Sequence, residues 1–397
     1  VLVTIALAFA IRRKPKTPGS SPIVTTSAAS VVAPASAITS SGTWDAGSVS
    51  SPRALHGDAR RQHRSRFVGP VAPKLVWARD VGGAVESQVV TSPDESTLYV
   101  TTLAGKLVAL SRDGAIRWTV DLGDRVYGTP LVGDDGTLYV GSDSKRFYAV
   151  SKGGAIVWKL DVDGEADTSA ALAPGPRIVF AAGRMVYALA LDGTVTWRFA
   201  AKEKVFSSPA VTASGLVVFG AQDGGGYGVD ASGKRAFYID FGADVDASPA
   251  IGDDGAIYWG TDGGDVARSN EQGELAWKTH VGGFVRGALS IARSGDLLAG
   301  TYGPTPRVVR VTSAGVLAGW LPIQGTGAAE FGIHGGPLED EAHTLFFGAQ
   351  DDAIHVVRAD GSEARFETGG DVDAPITILS DGSIVVGSDD GKVVCVR

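Results

Sequence analysis

The sequence predicts an all-β fold, an eight-bladed β-propeller of four-stranded antiparallel blades. Three observations carry that expectation. Large aromatic residues recur at near-constant spacing: Trp77, Trp118, Trp158, Trp197, Phe237, Trp277, Trp320 and Phe366 stand 39 to 46 residues apart. Each interval holds short runs of β-branched and aromatic residues parted by Asp-Gly and Gly-Gly turns, the pattern of antiparallel hairpins. No window sustains a 3.6-residue apolar period, and 54 glycines in 397 residues weigh against helices.

Residues 118–158 show the grammar of one unit. Trp118 opens the alternating run WTVDLG, and VYGTPLVG follows as a strand bearing Pro130. Asp134-Asp135-Gly136 makes a tight turn into TLYVGS, Ser142–Arg146 turn again, and FYAVS leads towards Trp158. Four strands in about 40 residues, repeated, is the signature of a propeller blade. First strands can be read as SQVVTS, TPLVG, SAALA, SPAVT, SPAIG, GALSI, GGPLE and APITI, hence eight blades. The terminal VVCVR supplies the third strand of the eighth blade, and LVWARDV around Trp77 supplies its fourth. Closing the ring with strands from both ends removes the open sheet edges. Cys395 then falls in the closing blade as a small buried hydrophobe. The aromatics are read as wedges between blades. Gly114, Gly154, Gly193, Gly233 and Gly273 lie four residues before theirs, and Gly315 and Gly361 five before, letting backbone pass close to a ring.

Ahead of the repeats the composition changes. Residues 1–11 (VLVTIALAFAI) are apolar but too short to span a bilayer, which needs about twenty residues. They read as the remnant of a signal peptide, with Ala8-Phe9-Ala10 as a small-x-small cleavage pattern, or of a membrane anchor. Residues 12–54 read as a Ser/Thr/Ala/Pro-rich linker containing a lone Trp44, residues 55–76 as a basic lead segment, and 77–397 as the propeller. No Cys follows the apolar run, so lipid attachment at a cleaved N-terminal Cys is excluded.

Charge divides along the same line. Residues 1–76 carry a net +8 and the remainder a net −16, within an overall −8. An acidic body repels a phosphate backbone, which excludes nucleic acid as its partner. The tail cations Arg12, Arg13, Lys14 and Lys16 could touch an anionic membrane surface. A single cysteine rules out a disulfide framework, a Cys-based zinc site and a CxxCH haem site.

The unit A-[LV]-x-x-x-G-x-x-x-W, then S/G-x-P-A-[VI], then DG-x-[LI]-Y-V-G, seen in Ala109–Trp118, Ala149–Trp158 and Ala188–Trp197, resembles the pyrroloquinoline-quinone-type propeller repeat with its tryptophan docking motif. The segment His56–Pro70 resembles the stretch that often precedes such propellers. The resemblance implies one of three kinds of protein. These are quinoprotein dehydrogenases that use the quinone and calcium, scaffold propellers of outer-membrane assembly, and envelope or sensor modules. The adjacent cysteine pair found in many of the dehydrogenases is missing here, no Glu–Asn–Asp calcium set can be matched, and no catalytic residue is carried over. Tryptophan–aspartate repeat propellers match less well.

Strand direction alternates within a blade, so first-strand starts, second-to-third turns and inter-blade links share one face. The residue at the mouth of each first strand varies while its flanks stay small or apolar. These residues are Glu86, Tyr127, Asp167, Phe206, Asp246, Arg286, His334 and Asp373. They are expected to form a ligand-binding ring over a central funnel. Their carboxylates are not sequence-paired, so no metal set is recognised, although calcium between opposed carboxylates is one reading. Asp143, Asp223, Asp262, Asp351 and Asp389 occupy the turns of that face, where they favour turn geometry and a basic partner. Longer connections at Thr301–Pro306 and in GTGAAEFG border the sixth and seventh blades.

The expected function is therefore a non-catalytic binding or scaffold propeller of the bacterial cell envelope or periplasm. It would be monomeric and take a protein or small polar ligand on its acidic face. No cofactor is expected. The alternatives are a pyrroloquinoline-quinone-dependent oxidoreductase with calcium, or an extracytoplasmic sensor module of a larger protein.

Overall fold

The computed structural model describes residues 52–323 and 331–397. The apolar run, the tail cations, Trp44 and most of GTGAAEFG lie outside the described residues.

The described chain forms eight four-stranded antiparallel sheets arranged as the blades of a propeller. Seven blades are built from consecutive strands; the first comprises Val90–Thr91, Thr97–Thr101, Lys106–Ser111 and Ile116–Asp121. The eighth joins Thr377–Ile378, Ile384–Gly387 and Lys392–Val396 to Leu75–Asp80 from the other end of the chain. Trp77 lies opposite Cys395, which is 3% exposed. The closing strand and the buried cysteine are thus where the sequence put them.

Why these residues make blades is visible in the burial. The middle strands are buried on both faces and read as Val, Ile, Leu, Tyr and Phe runs, whereas the outer strands alternate with solvent. The wedges work between blades, as expected. Gly154 of the second blade sits at φ +87, and an added Cβ would stand 2.9 Å from the ring of Trp118 in the first. Gly114, Gly193, Gly233, Gly273 and Gly315 hold the same seat under Trp77, Trp158, Trp197, Phe237 and Trp277. So each glycine serves the aromatic of the preceding blade rather than the one it precedes in sequence. The indole N–H groups of Trp77, Trp118, Trp158 and Trp277 donate to carbonyls of the next blade at 2.9–3.1 Å.

The lead segment is part of the propeller's interior. Six of the eight innermost strands donate a backbone N–H to it: Thr91 to Pro52, Val132 to Arg53, Val211 to Ala59, Ile251 to Arg60, Ile291 to Gln62 and Glu339 to His63, at 2.7–3.3 Å. Pro52–Ala54, which composition assigns to the end of the linker, already take part. Winding the segment around the axis uses left-handed backbone at His56, Gly57, Arg61 and His63 (φ 53–97).

Three side chains lock this collar. Arg61, fully buried, donates to the carbonyls of Pro209, Leu55 and Ser169 at 2.8–3.2 Å. His56 and His63 stack at 3.8 Å between ring centroids, 6° from parallel. Between the first five blades a belt of hydroxyls closes the gap: the N–H groups of Gln88, Thr129, Ser169 and Ser208 each donate to the next blade's Thr129, Ser169, Ser208 or Ser248 hydroxyl at 2.9 Å. The equivalent residues Ala288, Gly336 and Pro375 have no hydroxyl. There the histidines stand in, with His56 facing the carbonyls of Leu289 and Gly335 and His63 that of Ile376. Gly336 (φ +69) leaves the room, since a Cβ there would stand 2.4 Å from the Ala288 carbonyl oxygen and 3.1 Å from the His56 ring.

Candidate functional site

With one end of the axis filled by the collar, the other end is the face where first strands begin. The residue before each ring position, such as Val85, Val126 and Val372, is buried and anchors the start of its strand. Seven of the eight ring residues are half-buried and Asp373 is buried.

A second ring lies beside the first, and the sequence reading found only part of it. In every blade a turn N–H bonds the carbonyl two residues before the ring position: Leu103 to Ala84, Asp143 to Arg125, Gly183 to Glu165, Gln222 to Lys204, Asp262 to Asp244, Tyr302 to Phe284, Gln350 to Gly332 and Asp389 to Asp371 (2.9–3.1 Å). These turn residues follow the ring position by 16 residues, or 17 in the first blade. Several of them address the ring residue of the next blade. The Gln222 amide donates to Asp246 at 3.3 Å, the Gln350 amide to Asp373 at 3.0 Å, and Arg286 donates to Asp262 at 2.8 Å. Tyr302 meets His334 edge to face at 6.2 Å.

Two of the turn carboxylates expected on this face do different work. Asp223 accepts from the Tyr227 hydroxyl at 2.6 Å and pairs with Lys202, and Asp351 is held by His355 and Arg365. Their neighbours Gln222 and Gln350 are the residues that reach the ring. A shift of one position in a tight turn, which composition does not resolve, accounts for the difference. Tyr302 lies in the longer Thr301–Pro306 connection, where nothing in the sequence marks it as a partner of the ring.

The electrostatics are dominated by crowded carboxylates. Burial, with Asp373 and Asp389 nearby, pushes Glu86 up to about 8. Burial and the adjoining Asp167 push Asp143 up to about 8. Asp389 rises to about 7 and Asp246 to about 6, through burial and neighbouring carboxylates. Burial raises the Tyr302 hydroxyl far above its ordinary value, with further contributions from Asp373 and Glu86. Three cations answer part of this charge: Arg125 beside Asp143 at 3.2 Å, Lys204 beside Glu165 and Asp167 at 2.8 and 3.4 Å, and Arg286 on Asp262. Among the described residues, the buried carboxylate oxygens that meet no N–H or hydroxyl donor belong to Asp143, Asp167, Asp246, Asp262 and Asp373, and of these Asp143 and Asp167 are hydrogen-bonded to each other through a shared proton. Such oxygens are costly unless a donor or a cation reaches them.

The family model described as outer membrane protein assembly factor BamB matches residues 68–136 and 131–237. The matched stretch is thus similar to that family's propeller repeats. Solved structures bear this out at the level of the fold. BamB from Moraxella catarrhalis aligns at a TM-score of 0.66 and 15% identity, over 82% of this chain and 100% of that one. The quinohemoprotein alcohol dehydrogenase of Comamonas testosteroni aligns at 0.71 and 13% identity, over 88% and 81%. A europium-containing methanol dehydrogenase aligns at 0.69 and 10% identity, over 85% and 90%. No curated protein sequence matches the chain.

The fold shared with these dehydrogenases raises the question of whether this propeller could seat the quinone. Pyrroloquinoline quinone is a flat tricarboxylate and needs cations. Arg125, Lys204 and Arg286 are each already committed to carboxylates, and the unsatisfied atoms around them are acceptors. The funnel's donor set does not fit that group.

Proposed function

We propose that this chain is a non-catalytic binding or scaffold propeller of the cell envelope, which takes a cationic, donor-rich ligand or a basic protein segment in its acidic funnel. The observation that carries the reading is the crowd of acidic side chains in which Asp246, Asp262 and Asp373 each keep an inner oxygen without a donor. A ligand bearing several N–H groups supplies what they lack, and the surrounding negative field draws it in. The scaffold role agrees with the BamB-like match, and the envelope location rests on the same kinship.

The test uses a labelled oligolysine peptide and fluorescence anisotropy at low and physiological salt. The double variant Asp167→Lys with Asp246→Lys, shown folded by circular dichroism, is expected to bind at least tenfold more weakly. Equal binding by wild type and variant would remove the funnel as the binding face. Native mass spectrometry covers the oxidoreductase alternative, because a mass excess matching a quinone on the purified chain would overturn the non-catalytic reading.

A further inference from the structure

The hub of the propeller is closed in two different ways along its circumference. From the first blade to the fifth, each seam carries a backbone N–H bonded to a side-chain hydroxyl of the next blade, ending at Ser248. Beyond it the same positions are Ala288, Gly336 and Pro375, which offer no hydroxyl. Two imidazoles of the lead segment span the seams between the sixth, seventh and eighth blades instead. The His56 ring sets Nδ1 3.1 Å from the Leu289 carbonyl of the sixth blade and Nε2 2.8 Å from the Gly335 carbonyl of the seventh. The His63 ring lies against the carbonyls of Gly336 and Pro337 in the seventh blade and places Nε2 3.1 Å from that of Ile376 in the eighth. Gln88 of the first blade completes the circuit. Its amide donates to the Ile376 carbonyl and the Thr377 hydroxyl, and its Oε1 accepts the His56 backbone N–H at 2.7 Å.

The geometry points to His56 and His63 as an acid-released latch, which holds blades six to eight against the lead segment and lets that arc part from it when the two rings take up protons, with blades one to five still seated. The rings are buried face to face, 3.8 Å apart and 6° from parallel. Two imidazoliums repel each other across such a stack unless an anion joins them. The charged groups facing His56 are His63 and Arg61, and His63 is ringed by the carbonyls of Ile376, Pro337 and Gly336. Asp58, the carboxylate of the segment, faces Arg60 and Arg61. Carbonyls at both nitrogens of His56 favour its charged form, but burial, His63 and Arg61 oppose it and prevail. The first five blades are held by groups that do not titrate in the same range: hydroxyls, backbone carbonyls, and the Arg61 guanidinium on Pro209 and Ser169.

The direction of the effect follows from proton linkage. Burial holds His63 at about 4 and His56 well below 6.5, so both rings gain protons on opening throughout the interval between. Opening is therefore favoured as pH falls from 6.5 towards 4, by up to ~tenfold per pH unit for each ring that charges. The latch is joined to the opposite face by short lengths of chain. Gly335 follows His334 directly, and Ala288 of the sixth blade donates to the His334 carbonyl at 3.2 Å. Release at the hub thus loosens the strand starts that carry Arg286 and His334. The latch stands independently of the ligand proposed for the funnel.

Hydrogen–deuterium exchange of the full chain at pH 7 and pH 5, read by mass spectrometry and corrected for the intrinsic pH dependence of amide exchange, separates the two arcs. Peptides holding Ala288–Ile291 and Glu339 are expected to exchange at least tenfold faster at pH 5, and those holding Val132 and Val211 to change less than threefold. The double variant His56→Asn with His63→Asn tests the imidazoles, and Asn tolerates the left-handed backbone at both positions (φ 57 and 53). In it the peptides of blades six and seven are expected to exchange faster than wild type at pH 7 and to gain less than threefold at pH 5. If the double variant does not fold, each single variant carries the test, with the acid gain expected to fall at least threefold. An equal acid response in both arcs of the wild type, no acid response, or a response undiminished in the folded variants would each overturn the latch.

Discussion

At the scale of single residues, the decisive side chain is Arg61. A fully buried guanidinium that donates to three backbone carbonyls replaces the water those carbonyls would otherwise need. Arg61→Met keeps much of the volume and strips all three donors. It is expected to cost about 3 kcal/mol or more, read as a lower urea midpoint with an unchanged slope. The stacked imidazoles of His56 and His63 are of the same kind. Burial, and for His56 the neighbouring His63, holds them well below 6.5, with His63 at about 4. None of this was legible in HGDARRQHR, whose composition marks it only as a basic lead segment. The segment's anchoring runs mainly through backbone carbonyls, and these leave no trace in residue identity.

At the scale of elements, the repeated contact is the aromatic of one blade against the glycine of the next. Its rhythm was fully legible, because a fixed spacing of large aromatics survives any uncertainty about strand ends. Which glycine meets which ring was not, since that depends on how neighbouring blades stagger. Trp118→Ala removes a half-buried indole and its hydrogen bond to Lys152, and is expected to destabilise by about 2–3 kcal/mol in urea unfolding. Gly154→Ala should approach the same loss from the other side, because the left-handed backbone and the Trp118 ring both oppose a Cβ. The sequence marks Glu86 and its seven counterparts only as a variable position between uniform flanks, and their ligand-binding role belongs to the proposal. The partner ring was not legible, because a two-to-four-residue turn gives no periodic pattern to separate Gln222 from Asp223.

At the scale of the whole molecule, two sets of buried groups pull stability in opposite directions with pH. His56 and His63 are depressed in the folded chain, so the unfolded chain binds more protons between about 4 and 6.5. Their contribution is complete above 6.5 and is lost as pH falls towards 4. The raised carboxylates reverse the sign. Glu86 and Asp143 at about 8, Asp389 at about 7, and Asp246 and Asp371 at about 6 keep protons that the unfolded chain has released. Stability from this set therefore declines as pH rises from about 4 to 8. Urea midpoints measured in a chelating buffer are expected to fall between pH 6.5 and 8.5, and Glu86→Gln should flatten that limb. A midpoint that stays level or climbs across this range would contradict the crowding of charge described for the funnel.

The collar has a consequence for how the chain is made. Residues 52–66 leave the ribosome before any blade exists, yet their carbonyls are partners for strands as late as Glu339. The axle is therefore synthesised first and must wait, exposed, until successive vanes assemble around it. The strand at Leu75–Asp80 waits longer still, for Lys392–Val396 at the far end. Translation order thus leaves this wheel open at its hub until the strand Lys392–Val396 has been added.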